Sequence, residues 1–125
     1  MTYYLDTHVL IWLYKGKLKK LSANAREIIE THACKISPMS MLELKMLNEI
    51  GRLVTPAEQL INELTNQFDM QVANTSFYNI AQEACSINWT RDPFDRIISA
   101  QTANDNANLL TKDKQIRDHF ENAVW

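Results

Sequence analysis

The chain has 125 residues, of which 46% are hydrophobic and 22% are charged. That length suits one domain with one core, assigned here to residues 1–125, and the ordinary charged fraction excludes an intrinsically disordered chain. The net charge of −2 excludes a protein that holds nucleic acid mainly by bulk positive charge. Any nucleic-acid contact would therefore require a local basic patch or a bound cation.

The predicted elements begin with a strand over residues 2–5, which are rich in β-prone side chains. Asp6 or Thr7 can cap a short helix that stops near Gly16. A basic loop over residues 15–20 follows. The chain therefore opens with a strand, a short helix and a lysine-rich connection.

The next segment predicts a second helix from Ser22 to His32 and a second strand over residues 34–37. Pro38 is expected to break that strand. Ser40 to Glu43 forms a capping-box pattern that opens a third helix, and Gly51 stands at the end of that helix.

The second half of the chain alternates helices and strands in the same way. Its predicted elements are a helix over residues 55–67, a strand over 70–73, a helix over 75–87, a helix from Asp92 to the polar stretch 104–106, a strand over 108–111, a helix over 115–121 and a short strand over 123–125. This alternation predicts an α/β fold with a parallel sheet covered by helices on both faces. In such open sheets the functional site lies beyond the carboxyl ends of the strands.

Compartment and redox state follow from short segments. The longest apolar run near the start, residues 9–13, is too short to cross a bilayer, and no basic segment followed by an apolar one opens the chain. We therefore expect a cytoplasmic protein with no membrane partner. Cys34 and Cys85 lack the number and spacing of a disulfide scaffold or metal site, and we interpret both as small buried hydrophobes.

Four acids stand at predicted element junctions: Asp6, Glu43, Asp95 and Asp113. In a parallel sheet these positions can meet at one rim. Like charges close together raise each other's pKa, and a hard dication with oxygen ligands, Mg²⁺ or Mn²⁺, relieves that repulsion. Such an ion would also let an acidic pocket accept a phosphodiester.

Each of these acids also has a structural interpretation. Glu43 could complete a capping box, Asp95 could complement a helix dipole, and Asp6 and Asp113 could cap helices. Asp92 precedes a proline and is favoured as a helix cap over a ligand. Spacing alone leaves both interpretations open.

Four segments, taken together, resemble the PIN-domain family and in particular its VapC-like toxins. They are YLDTHVLIW at residues 4–12, S-x-x-S-x-x-E at residues 37–43, DPFDRIISAQ at residues 92–101 and LLTKD at residues 109–113. The resemblance runs from about residue 2 to about residue 117. It departs from the family pattern at Thr102, where an alanine is usual, and in the turn 104–107, which lacks a glycine; asparagine tolerates the left-handed backbone needed there.

The resemblance implies a PIN-like three-layer sandwich with endoribonuclease activity that depends on Mg²⁺, for which Mn²⁺ can substitute. It assigns the catalytic and metal-binding roles to Asp6, Glu43, Asp95 and Asp113. The implied partners are an RNA substrate, a cognate antitoxin of a type II toxin–antitoxin pair and a second copy of the chain in a homodimer.

Three further residues would support these acids. Thr111 would orient a carboxylate or a metal-bound water, and Thr7 could do the same beside Asp6 or cap a helix. Asp92 would be the helix cap, or at most a group outside the ligands themselves.

Basic residues offer a route for the RNA backbone. The densest basic cluster comprises Lys15, Lys17, Lys19 and Lys20. It could steer RNA toward the rim or form a solvated loop. Arg96 could contact phosphate, although a structural ion pair is favoured, and His8 is favoured as a buried, hydrogen-bonded residue over a catalytic one.

Apolar residues exceed what a small core needs. They are Trp12, Leu13, Met41, Leu44, Met46 and Leu47. Under the family resemblance they would form the homodimer contact and a groove for an antitoxin helix, whereas core packing is the alternative for each of them.

Two other classes of protein share parts of this pattern. A phospho-acceptor receiver domain needs an aspartate at the end of a central strand, and no aspartate lies between Asp6 and Asp69. A catalytically inactive PIN-like RNA-binding or regulatory module remains the alternative, and only an assay separates it from an enzyme.

Overall fold

Five short strands form one parallel sheet in the computed structural model, which describes all residues from Met1 to Trp125. The strands are β1 (Thr2–Leu5), β2 (Ala33–Ile36), β3 (Gln71–Val72), β4 (Asn108–Leu110) and β5 (Ala123–Val124). Their order is β3-β2-β1-β4-β5, and every neighbouring pair is parallel. The predicted α/β class and parallel sheet are confirmed.

Seven helices connect these strands. They are α1 (Thr7–Tyr14), α2 (Ala23–Thr31), α3 (Pro38–Glu49), α4 (Ala57–Gln67), α5 (Phe77–Cys85), α6 (Pro93–Asn104) and α7 (Lys114–His119). A single 3-10 turn, Leu18–Lys20, lies within the lysine-rich loop. All the predicted helices are present, and most of their boundaries shift by a residue or two.

The side chains of the sheet point alternately toward two helical layers, as the pleat of a strand requires. On one face Leu5, Ile36 and Leu110 are buried in a large cluster with residues of α1, α2 and α4. On the other face Tyr4 and Leu109 are buried in a smaller cluster with residues of α6 and α7. The molecule is therefore a three-layer sandwich, as expected.

The chain order creates a crevice at the carboxyl edge of the sheet. From the central strand β1 the chain moves to β2 on one side, and it later returns to β4 on the other side. Loops that leave β1 and β4 therefore diverge, and open α/β sheets bind ligands at such a switch point. Asp6 directly follows β1, and its backbone N–H donates to the carbonyl of Leu110 at 3.0 Å.

The start of α3 differs from the prediction. The helix begins at Pro38, and Ser37 Oγ accepts the backbone N–H of Met39 at 3.2 Å as the cap. Proline suits the first turn of a helix because its φ is already helical and it has no N–H to satisfy. The capping box on Ser40 was therefore wrong, and Glu43 lies in the second turn, free of any capping role.

Two turns behave as the sequence predicts. Gly51 follows α3 with φ of +76°, and Asn106 precedes β4 with φ of +53°. Asparagine thus takes the left-handed position that lacks a glycine. The hydroxyl of Thr102, the other departure from the family pattern, donates to the carbonyl of Ile98 at 2.8 Å and is fully satisfied.

Burial contradicts the interpretation of one cysteine and decides between the alternatives left open for several apolar residues. Cys34 is buried, but Cys85 is exposed, because the inward side of α5 carries Ile80 and Ala84 and the next residue lies about 100° around the helix. Of the six apolar residues for which core packing and a partner surface were both open, Leu13 and Leu44 lie in the core, whereas Met46 is 45% exposed. No helix of the protein has the length and apolar character needed to cross a membrane.

Candidate active site

Asp6 is held rigidly at the edge of the sheet. Its side chain is buried, with Oδ1 accepting the backbone N–H of Thr7 at 2.8 Å and Oδ2 accepting the hydroxyl of Thr111 at 2.7 Å. Burial nevertheless raises the pKa of this carboxyl, because the loss of hydration outweighs the two hydrogen bonds. Asp6 therefore caps α1, as one interpretation held, and also faces the crevice with a destabilised charge.

Thr111 links two of the predicted acids. Its buried hydroxyl donates to Asp6 and accepts the backbone N–H of Asp113 at 3.1 Å. Asp113 is exposed, and its Oδ1 accepts the N–H of Ile116 at 3.0 Å as the cap of α7. Thr111 thus orients a carboxylate, which is the contact expected of it.

Thr7 joins a third acid to the same edge. Its hydroxyl donates to Glu43 Oε1 at 2.5 Å and lies within hydrogen-bonding distance, 3.1 Å, of Ser40 Oγ. Burial is the main cause that raises the pKa of Glu43, and the nearby charges of Asp6 and Asp92 add to it, against the hydrogen bond from Thr7. Thr7 therefore ties α1 to α3 and orients the Glu43 carboxyl toward the other acids.

Asp95 has the most unfavourable environment of the four. It lies half-buried in the first turn of α6, and its carboxyl group accepts no hydrogen bond from the protein. Burial raises its pKa to about 7, and four neighbouring carboxylates contribute in the order Asp92, Asp6, Asp113 and Glu43. Charges raise a neighbour's pKa in this way only at short range, so all the predicted acids lie near one edge of the fold.

Asp92 caps α6, as favoured. Its Oδ1 accepts the backbone N–H groups of Phe94 and Asp95 at 2.8 and 3.4 Å. The cap positions Asp95 and adds negative charge beside it, which is the role of a supporting group.

The acidic side chains suit a divalent cation that keeps some of its water ligands better than one bound by protein groups alone. No group of three or more His, Cys, Asp or Glu side chains lies close enough to hold a metal ion directly. The acids at the edge supply oxygen donors, their charges repel one another, and the Asp95 carboxyl has no hydrogen-bond partner in the protein. Mg²⁺ suits such a site because it usually keeps several waters and is bound through one or two carboxylates.

Asp6 and Asp113 open onto a cleft of about 350 Å³. The cleft is lined by Asp6, His8, Val9, Trp12, Lys112 and Asp113. His8 is exposed, so its interpretation as a buried residue was wrong: the inward side of α1 carries Val9, Leu10 and Leu13, and position 8 lies on the opposite side.

The predicted basic residues divide in position. Lys15, Lys17, Lys19 and Lys20 are all exposed. Of these, Lys20 reaches the cleft region, with Nζ 5.6 Å from the ring centroid of Trp12. The guanidinium of Arg96 donates to the carbonyl of Ile87 and forms no ion pair, so the favoured ion-pair interpretation was wrong.

Two cleft residues were missed by the sequence analysis. The sequence predicts Trp12 as core or partner surface and gives no role to Lys112, which lies within the LLTKD segment between Thr111 and Asp113. Its position one residue before a proposed ligand was the available signal. Lys112 Nζ lies 5.9 Å from the Trp12 ring centroid.

The fold and the site define a class: an α/β sandwich with an acidic cluster at the switch point of a parallel sheet. The sequence matches the family described as PIN domain over residues 3–120, and the chain belongs to that family. PIN domains are generally nucleases that use divalent metal ions, so at this coarse level the chain is a hydrolase of nucleic acid.

Solved structures share this fold across nearly the whole chain. VapBC2 from Rickettsia felis bound to a promoter DNA fragment matches with a TM-score of 0.70 and 13% identity, covering 99% of this chain and 96% of that one. DNA-bound VapBC from Salmonella typhimurium matches with a TM-score of 0.63 and 15% identity, covering 98% of this chain and 95% of that one. A domain of a functionally unknown protein from Methanocaldococcus jannaschii matches with a TM-score of 0.57 and 16% identity, covering 99% of this chain and 89% of that one. At these identities the likeness is one of fold, and comparison with curated protein sequences gives no match.

Proposed function

We propose that the chain is a metal-dependent endoribonuclease and the toxin of a toxin–antitoxin pair. Asp6, Glu43, Asp95 and Asp113 would hold Mg²⁺, or Mn²⁺ in its place, and RNA would be the substrate. The observation that carries this proposal is the carboxyl of Asp95, which has no hydrogen-bond partner and a pKa raised by burial and by four neighbouring acids. Such an arrangement is costly for folding and is explained by a positive ligand.

The residues of the chain would act on that ligand and on the substrate in distinct ways. A divalent ion supplies Lewis acidity, which activates water and neutralises charge on a phosphoryl group. Thr111 and the Thr7 backbone fix the Asp6 carboxylate, and the Thr7 hydroxyl fixes Glu43. Preorganised ligands of this kind need no rearrangement when charge develops during the reaction.

The toxin assignment rests on the kinship in fold with VapBC complexes. Both named complexes are structures of VapBC bound to DNA, which supports an antitoxin partner for this chain. The exposed apolar side chains support a protein partner as well. They include Leu42, Met46, Ile50, Val54, Phe77 and Tyr78. A homodimer and an antitoxin helix would both cover surface of this type.

Incubation of the purified protein with a pool of cellular RNA tests the activity. We expect fragments with Mg²⁺ or Mn²⁺ and none with EDTA. Asp6→Asn and Asp95→Asn should lower the cleavage rate by about 100-fold or more, because each removes a charge that the ion requires. Asp118→Asn is the matched control, since Asp118 pairs only with Lys114 on the surface.

The possible outcomes separate the candidate functions. Cleavage that persists in EDTA, or full activity in both site variants, would reject the metal mechanism. Binding of RNA without cleavage under any metal would favour the inactive PIN-like module.

A further inference from the structure

The cleft beside the acids carries two opposite kinds of chemistry. Asp6 and Asp113 contribute carboxylates to its lining, and Trp12 and Lys112 contribute an aromatic ring and an ammonium group. His8 lies between Asp6 and Trp12 in the sequence, with its ring 6.2 Å from that of Trp12. A ligand that fills this cleft must therefore meet both the acidic cluster and an aromatic, cationic wall.

The ring of Trp12 is anchored to the body of the protein. It is partly buried, packs against the main core cluster and meets Trp125 edge to face, with ring centroids 6.2 Å apart. A ring fixed in this way forms a rigid platform, because little side-chain freedom is lost when a ligand lies against it.

Two ammonium groups lie near this ring without carboxylate partners. Lys20 Nζ and Lys112 Nζ are 5.6 and 5.9 Å from its centroid. The two ion pairs of the protein are Lys35 with Asp105 and Lys114 with Asp118, so neither of these lysines is neutralised. In a chain with net charge −2, they supply local positive charge next to the acidic cluster.

We propose that Trp12 stacks against a nucleobase of single-stranded RNA next to the bond to be cut, and that Lys20 and Lys112 bind the phosphates that flank this base. The substrate class rests on the proposed function. Stacking of a base on an aromatic ring contributes more free energy than the cation–π contact of an exposed lysine with the same ring. The base would therefore displace the ammonium groups, whose flexible stems allow them to reach phosphate oxygens instead.

The charges favour a nucleotide over a cationic peptide in this cleft. An arginine could pair with Asp6 or Asp113, but its guanidinium would then lie beside the free ammonium groups of Lys20 and Lys112. A nucleotide instead presents a π face to Trp12 and negative charge to both lysines. The cleft volume of about 350 Å³ lies within the usual range for small-ligand pockets.

Tryptophan fluorescence tests the stacking without any need for cleavage. The probe is the Asp95→Asn protein with Trp89→Phe and Trp125→Phe, which leaves Trp12 as its one tryptophan. In Mg²⁺ we expect quenching by a single-stranded oligoribonucleotide and none by an abasic oligomer of equal length. Equal quenching by the abasic oligomer, or quenching by an arginine-rich peptide with none by RNA, would overturn the proposal.

Kinetics on the otherwise intact enzyme give a second test. Trp12→Leu should raise KM for RNA about 10-fold with little change in kcat, whereas Trp12→Phe should retain most of the affinity. Lys112→Ala should raise KM and reduce the salt dependence of binding by about one counterion. Lys45→Ala should change neither, because Lys45 is an exposed lysine of α3 that does not line the cleft and forms no ion pair. Thermal unfolding of each variant separates a loss of binding from a loss of folding.

The two proposals fail in different ways. A protein that cuts RNA with an unchanged KM in folded Trp12→Leu, or an unchanged salt slope in Lys112→Ala, contradicts the stacking site alone. A protein that never cuts RNA but shows base-dependent quenching of Trp12 contradicts the nuclease and supports the binding site.

Discussion

At the scale of single residues, the Asp95 carboxyl group links stability to function. In the unfolded chain it has the ordinary pKa of 3.8, and in the folded protein burial and its acidic neighbours raise the pKa to about 7. Between these values the unfolded chain loses the proton while the folded protein keeps it. The free energy of unfolding therefore falls as pH rises from about 4 to about 7, and the full penalty is present above that range.

Replacing this acid should stabilise the metal-free protein. In EDTA at pH 8 we expect Asp95→Asn to raise the free energy of unfolding by about 1–2 kcal/mol, allowing for solvent screening of a half-buried group. At pH 4.5 the gain should be much smaller, because the folded carboxyl is then protonated. Urea denaturation at the two pH values measures the difference, and an Asp95→Asn protein no more stable than wild type at pH 8 would contradict the repulsion.

Thr111 should matter for both positioning and stability. Thr111→Val keeps the shape of the side chain but removes the donor to Asp6 and the acceptor for the N–H of Asp113. We expect about 1–3 kcal/mol of destabilisation, the usual cost of leaving a buried polar group without its hydrogen bond. We also expect cleavage to fall by about 10- to 100-fold, as is usual when a residue that orients a metal ligand is replaced.

Thr111→Ser serves as the matched control, because it restores the hydroxyl. It should recover most of the cleavage rate and of the metal affinity, measured by titrating Mg²⁺ in the RNA assay. If Thr111→Val cut RNA with wild-type metal dependence, the positioning role would be lost.

At the scale of elements, the start of α3 decides where Glu43 lies. Because the helix begins at Pro38 with Ser37 as its cap, Glu43 falls in the second turn and reaches Thr7 of α1. A start at Ser40 would have turned Glu43 back toward its own helix terminus. The Ser37-Pro38 pair thus determines whether this acid can join the others.

Serine substitutions distinguish these two starts. Ser37→Ala should cost about 1 kcal/mol in urea denaturation, since it removes the cap of α3. Ser40→Ala should cost less, because Thr7 keeps its hydrogen bond to Glu43. The reverse order of the two stability losses would mean that α3 starts at Ser40.

Regular alternation made most elements predictable from the sequence. Strands β1 and β4 end at Leu5 and Leu110, and a polar residue follows each of them. Glycine or asparagine marks the turns at Gly51 and Asn106. Capping was harder, since Ser37 and Ser40 both suit a helix start, and only the preference of Pro38 for the first turn separates them.

Three of the acids at this edge could be selected from the sequence, because Asp6 and Asp113 directly precede helices after a strand and Asp95 lies in the first turn of a helix. Glu43 was selected on a capping-box pattern that the structure does not contain. The side of a short helix that faces the core was not predictable in the same way. His8 and Cys85 are examples: with eight or nine residues per helix, little more than two turns of periodicity do not settle which positions are buried. Contacts between distant segments, such as Arg96 with Ile87 or Lys112 with Trp12, leave no local pattern at all.

At the scale of the whole molecule, a parallel sheet gathers negative charge at one edge. Folding brings Asp6, Glu43, Asp95 and Asp113 together from segments far apart in the sequence, and burial raises the pKa of the first three. A bound dication would compensate this repulsion. Folding and ion binding should therefore be thermodynamically coupled.

That coupling should be visible in thermal unfolding. Mg²⁺ should raise Tm at pH 8, with a gain of about 2.7 kcal/mol in unfolding free energy at 100 times its Kd. At pH 5 the shift should be much smaller, because protons compete for Asp95. Ca²⁺-free buffer with EDTA is the reference, and an equal Tm shift at both pH values would contradict the role of these carboxylates.

The most direct measurement is anomalous X-ray diffraction from crystals of the protein soaked in Mn²⁺ at pH 8. We predict an anomalous peak among the carboxylates of Asp6, Glu43, Asp95 and Asp113, and its loss in Asp95→Asn. A soak that places Mn²⁺ elsewhere, or leaves this edge without a peak while the four carboxylates remain in place, would contradict the shared-ion site.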